Sequence, residues 1–119
     1  MPKKILLIDD DLTTIKVIQP YLESNGYAVV SARDGEEGLA KIKSEDPDFI
    51  ILDIQMPKVN GYTFIFELKR TGAKNMPIIV LTAKEGMADI FKVEGVKEYM
   101  VKPVKQEALL ENIKKHLQP

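Results

Sequence analysis

A chain of 119 residues with 45% hydrophobic and 29% charged content suits one soluble domain spanning 1–119, since about 100–200 residues usually form one. The absence of cysteine excludes a disulfide framework, a thiolate metal site and a Cys nucleophile. Seventeen basic residues against eighteen acidic ones, net −1, argue against a direct nucleic-acid partner, whose binding domains carry a basic patch or stripe. No apolar run approaches the roughly 18 residues of a membrane span. The stretch after Lys3 and Lys4 meets Asp9 too early for a signal-peptide core of about 7–15 residues, and a cytoplasmic location is expected.

The first apolar run, Ile5-Leu6-Leu7-Ile8, is continuous rather than alternating, the pattern of a strand buried on both faces in a parallel sheet. Leu12, Ile15, Gln19 and Leu22 then follow a helical spacing, with Pro20 inside it. Proline lacks the N–H that would bond back to Lys16, so a kink is expected there. Asn25-Gly26 closes this helix, Gly supplying the left-handed residue that a helix end often needs. Ala28-Val29-Val30 marks the second strand, and Asp34 is placed to cap a helix carrying Gly35, Gly38, Leu39 and Ile42. Phe49-Ile50-Ile51-Leu52 is the third strand, followed by a turn at Asn60-Gly61 and a helix through Phe64, Ile65 and Leu68. Met76-Pro77 leads into the fourth strand, Ile78-Ile79-Val80-Leu81, and then a helix through Met87, Ile90 and Phe91. Tyr99-Met100-Val101 and a helix through Leu110, Ile113 and Leu117 complete the order. Five βα units predict an α/β doubly wound parallel sheet of five strands flanked by five helices, with the second and fifth strands at the edges.

Asp9, Asp10, Asp53, Thr82 and Lys102 are the first polar residues after four of these runs. Ligands of an open parallel sheet sit beyond the carboxyl ends of the strands where strand order reverses, a rule already established for the order 2-1-3-4-5. Right-handed crossovers in that order put strands one and three side by side, so Asp9, Asp10 and Asp53 are expected to face one another. Such carboxylates repel by about 4 kcal/mol per pair at about 4 Å and a dielectric near 20, and need cationic compensation. Lys102 supplies one charge, and Mg²⁺, a hard ion bound by carboxylates and water, supplies the rest. A carboxylate nucleophile, a metal, and a Lys and a Thr to hold phosphoryl oxygens are the parts that phosphoryl transfer needs.

These residues resemble the bacterial response-regulator receiver domains of two-component signalling. The likeness rests on Leu7-Ile8-Asp9-Asp10-Asp11, Asp34-Gly35-Glu36-Glu37-Gly38-Leu39, the run from Leu52-Asp53 to Met56-Pro57 and on to Asn60-Gly61-Tyr62, Leu81-Thr82-Ala83, and Tyr99-Met100-Val101-Lys102-Pro103. It implies a CheY-like, flavodoxin-like fold in which Asp53 is the phosphoacceptor. Asp10, Asp53 and the backbone carbonyl of Gln55 would hold Mg²⁺, with Asp9 acting mostly through water, and Lys102 would pair with the phosphoryl group. The resemblance further implies a cis Lys102-Pro103 peptide, a Thr82 that moves to the phosphoryl group and a Tyr99 that turns inward behind it. Its partners would be a sensor histidine kinase or phosphotransfer protein and a downstream protein target, with autodephosphorylation as the domain's own slow chemistry. Gln55 and Lys84 occupy positions that tune phosphoryl lifetime in the family. The interval from Thr82 to Lys102 is slightly short for the family and Gly86 weakens its helix by up to about 1 kcal/mol, so the fourth helix is expected to be short or mobile. That departure bears on the partner surface.

Duller roles compete at several positions. Asp11 before Leu12 reads as a helix N-cap, Phe66 as a scattered exposed apolar residue, and His116 as solvated surface near a helix end. Asp9-Asp10-Asp11-Leu12-Thr13 also matches the Asp-x-Asp-x-Thr nucleophile motif of haloacid-dehalogenase-like phosphatases, which would use Asp9 and leave Asp53 without a role. A third reading is a phosphorylation-independent interaction domain. With nothing expected after the domain except Leu117-Gln118-Pro119, output is expected through partners, unless the chain is cut from a longer regulator.

Overall fold

A computed structural model describes residues 2–53, 67, 68, 70, 76–82 and 96–117, with Thr82 and Val96 through their backbone alone. Five strands, β1 (Lys4–Ile8), β2 (Ala28–Ala32), β3 (Phe49–Asp53), β4 (Ile78–Thr82) and β5 (Val96–Val101), form one sheet. Its order is β2-β1-β3-β4-β5, with every neighbouring pair parallel. Three complete helices are described, α1 (Leu12–Ser24), α2 (Gly35–Glu45) and α3 (Gln106–His116). Glu67, Leu68 and Arg70 are also helical. The rest of the third-gap helix, the fourth-gap helix with Gly86, Phe66 and the Asn60-Gly61 turn lie outside the described residues.

The continuous apolar runs are explained by burial on both sheet faces. Leu6, Ile8, Ile50, Leu52, Ile78 and Val80 pack on the face that carries Ile42 of α2. Ile5, Leu7, Phe49, Ile51, Ile79 and Leu81 pack on the opposite face, with Ile15, Ile18 and Leu22 of α1 and Leu109, Leu110 and Ile113 of α3. Period-two alternation along each strand sends neighbouring side chains to opposite layers, so a strand covered on both sides has no polar positions to show.

Local signals place the helices. Asp11 caps α1, its carboxylate accepting from the Thr13 amide at 3.0 Å, and Asp34 caps α2 through the Glu37 amide at 2.8 Å. Asn25 ends α1, and Gly26 follows with φ +95°, a conformation that favours glycine. Pro20 lies within α1, which continues to Ser24.

Three expectations need correction. Leu12 is 44% exposed while Ile18 is buried, because the inward stripe of α1 is Ile15, Ile18 and Leu22 rather than one beginning at its first residue. Strand β5 begins at Val96, three residues before the apolar run. Its register slips at Lys97, between the Ile78–Val96 and Ile79–Glu98 pairs, and an edge strand tolerates such a bulge and the charged residues that hid it. His116 is not a solvated surface residue: its side chain is 19% exposed, and Nε2 lies 3.1 Å from Glu98 Oε1 on β5.

Candidate functional site

The sheet register brings the acidic residues together. Ile8 pairs with both Ala32 and Leu52, so one step further along Asp9 and Asp53 stand on adjacent strands. The Asp9 amide extends the ladder by donating to the Ala32 carbonyl at 3.0 Å. Asp9 is fully buried and Asp53 is 4% exposed, whereas Asp10 turns to solvent. Ligand oxygens of all three lie within 4.8 Å of one another.

Lys102, just past β5, closes the cluster. Its Nζ donates to Asp9 Oδ2 at 3.0 Å and to Asp53 Oδ2 at 3.3 Å. Burial alone would pull this ammonium down, but the hydrogen bonds and charges of Asp9 and Asp53 outweigh it and hold Lys102 above the ordinary lysine range. Asp9 Oδ1 accepts from the Asp11 amide at 2.9 Å. Both Asp9 oxygens are therefore engaged, one in the start of α1 and one in the lysine. Lys102-Pro103 is a cis peptide, as the resemblance implies.

Thr82 is the last residue of β4, paired in register with Val101, and its backbone thus ends at the same edge of the sheet. Tyr99 pairs with Val80 and packs, partly buried, on the α2 face of the sheet, with its hydroxyl oxygen buried. Gln55 and Lys84 lie outside the described residues. Asp11 stays out of the cluster as the cap of α1; bonds from the Thr14 hydroxyl and the Thr13 amide hold its carboxyl below the usual carboxylate range.

One feature escapes sequence reasoning. A cavity of about 430 Å³ adjoins Lys102, lined by Asp11, Thr14, Val17, Leu81 and Pro103 among others. Its walls come from three distant parts of the chain and carry no local pattern. No helix among the described residues is long and apolar enough to cross a membrane.

An open parallel sheet with an acidic cluster and a lysine at its carboxyl edge defines a class of doubly wound α/β domains with an acidic site, and comparison with known proteins narrows it. The family model of the response regulator receiver domain matches residues 5–114, and the chain belongs to that family. Among curated relatives, the alkaline phosphatase synthesis transcriptional regulatory protein PhoP of Bacillus subtilis is 41% identical over 105 residues, covering 87% of this chain and 43% of PhoP. Protein PilG of Pseudomonas aeruginosa is 37% identical over 117 residues, covering 96% of this chain and 87% of PilG. The chain thus spans less than half the length of the first curated relatives, 43% and 42%. The chemotaxis response regulator CheY4 of Vibrio cholerae superposes with a TM-score of 0.90 at 30% identity, covering 98% of this chain and 100% of that one. The response regulator TrrA of Thermotoga maritima, solved in complex with Mg²⁺-BeF, gives a TM-score of 0.85 at 35% identity over 97% of this chain and 99% of that one. Membership in this family displaces the dehalogenase-like reading.

Proposed function

We propose that this chain is a phosphorylation-controlled receiver that takes a phosphoryl group onto Asp53 from the phosphohistidine of a sensor histidine kinase or phosphotransfer protein. The observation that carries this reading is the nearly buried Asp53 carboxylate set beside Asp9, Asp10 and the Lys102 ammonium. Mg²⁺ fits this donor set, because three carboxylates with oxygens within 4.8 Å offer the hard ligands that such an ion takes. Asp10 and Asp53 would hold it with the Gln55 carbonyl. Asp9, with both oxygens already bonded, would contribute through water. When bound, the ion would neutralise charge on the carboxylates and on the incoming phosphoryl oxygens.

In the transfer, an Asp53 carboxylate oxygen attacks phosphorus and the P–N bond to the donor imidazole breaks. The bonding pair returns to the imidazole nitrogen, and Asp53 becomes an acyl phosphate. Lys102 follows the phosphoryl oxygens, and the Thr82 hydroxyl donates to another of them. Water later attacks phosphorus, the P–O bond to Asp53 breaks, and the carboxylate is restored with release of inorganic phosphate. Gln55 and Lys84 tune the rate of this second step. The added charge at Asp53 biases a population shift between two packings of Thr82 and Tyr99. A downstream protein target in the cytoplasm reads that shift.

The test is intact-protein mass after incubation with Mg²⁺ and a small-molecule phosphodonor, for wild type and Asp53→Asn. One phosphoryl adduct that needs Mg²⁺ and disappears in the variant is the expected result. An adduct retained by Asp53→Asn, or none across donors and times, would overturn the proposal, the second outcome favouring a phosphorylation-independent interaction domain.

A further inference from the structure

Strand β2 is an outer strand, and its backbone groups address β1 and the outside in alternation. The Ala28 amide donates to the Lys3 carbonyl, and the Ala32 carbonyl accepts from the Asp9 amide. Residues 28, 30 and 32 therefore face β1, and the backbone groups of Val29, Ser31 and, one step on, Arg33 point away from it. An outward row of this kind is a template for another strand. The strand's own sequence, Ala-Val-Val-Ser-Ala, contains neither the charge nor the proline that usually blunts an edge.

Side chains from the flanking helices occupy three of these outward groups. The Val29 carbonyl accepts from Gln19 Nε2 of α1 at 3.3 Å, and the Ser31 carbonyl accepts from Lys41 Nζ of α2. The Arg33 amide donates to Glu37 Oε1 of α2 at 2.7 Å. Helices α1 and α2 pack on opposite faces of the sheet, so the edge is held from both sides. Lys41 is also ion-paired with Glu37 at 3.5 Å, and Gln19 donates to Glu23 at 3.3 Å, which ties both donors to their own helices.

We infer that Gln19, Lys41 and Glu37 form a guard that closes the β2 edge against pairing with β2 of a second copy of this chain. The guard is separate from the phosphoacceptor cluster and does not depend on it. It is tested with Gln19→Met combined with Lys41→Met, which keeps helix propensity and side-chain length but removes both donors. Sedimentation equilibrium of the double variant is expected to give an association constant about tenfold or more above wild type. Amide exchange at Val29 and Ser31 should slow as its concentration rises. Lys41→Arg, which keeps a donor, should behave as wild type does. A folded double variant with wild-type association overturns the inference, as does association that leaves exchange at Val29 and Ser31 unchanged. The single Lys41→Met variant, measured in parallel, answers the same two questions with less perturbation of the fold.

Discussion

The Lys102 ammonium stands 3.0 Å from the fully buried Oδ2 of Asp9, a contact between residues 93 positions apart in the chain. It joins the end of the first strand to the residue after the last one, and a third partner, Asp53, lies 3.3 Å from the same nitrogen. Among the described residues, the Lys102 ammonium thus bonds two buried carboxylates at once. The same contact places that cation beside the proposed phosphoacceptor.

Removing the cation leaves two carboxylates facing each other with little solvent. Lys102→Met is expected to cost about 2–3 kcal/mol of stability, less than for a wholly buried pair because the lysine side chain is 24% exposed. Urea unfolding with and without Mg²⁺ checks this, and the ion should stabilise the variant more than wild type. The raised Lys102 value also sets a pH limit. Its stabilisation is whole below the unfolded lysine value near 10.5 and is lost as pH rises through the higher folded value. The difference between wild type and Lys102→Met should therefore shrink in strongly alkaline solution.

Asp10 is the exposed member of the cluster, so its charge repels Asp9 and Asp53 without a bonded lysine to offset it in the contacts described. Asp10→Asn should stabilise the metal-free protein, by up to about 1 kcal/mol at low salt. The sign should reverse with Mg²⁺, whose stabilising effect the variant mostly loses. Thermal unfolding across a Mg²⁺ titration measures both. A variant that gains as much from Mg²⁺ as wild type would remove Asp10 from the metal site.

Glu98 on β5 accepts from His116 at 3.1 Å and from Lys115 at 3.4 Å. The bond from His116, and then the charge and bond of Lys115, hold its carboxyl below the ordinary value of 4.5 against the opposing effect of burial. A depressed carboxylate contributes stability above its unfolded value and loses it as pH falls through the folded one. Glu98→Gln should therefore be less stable than wild type at neutral pH by under about 1 kcal/mol. The gap should close below pH 4.5. Denaturation midpoints at several acidic pH values provide the comparison, and a constant gap would refute the assignment.

Leu109 and Leu12 make a matched pair of the same residue type. Leu109 is fully buried under the sheet and Leu12 is 44% exposed. Leu109→Ala should cost about 2–5 kcal/mol through lost transfer energy and a cavity. Leu12→Ala should stay within about 0.5 kcal/mol. Equal costs in chemical denaturation would contradict the packing described.

The contrast between these leucines shows where sequence reading stopped. A helical stripe drawn through Leu12, Ile15, Gln19 and Leu22 has the correct period but the wrong phase at its start, because phase depends on which side of α1 meets the sheet. Leu109 beside Leu110 gave no sign of which of the two is fully enclosed. For β5, the charges of Lys97 and Glu98 masked three residues of strand, since an edge bulge and a histidine eighteen positions away make them tolerable.

What the chain determines locally is the five apolar runs, the caps at Asp11 and Asp34, the turn at Asn25-Gly26 and the polar site residues that follow four of the runs. Local propensity, side-chain capping and a period of two or 3.6 act within a few residues, so they can be read along the chain. Given the order 2-1-3-4-5 of this fold class, right-handed crossovers then bring Asp9, Asp10 and Asp53 together. Only the tertiary structure decided that Asp9 is fully buried with both oxygens engaged, that Lys102 bridges it to Asp53, and that Gln19, Lys41 and Glu37 cover the β2 edge. Those contacts depend on side-chain directions and distances between segments distant in the chain, which packing of the whole sheet sets.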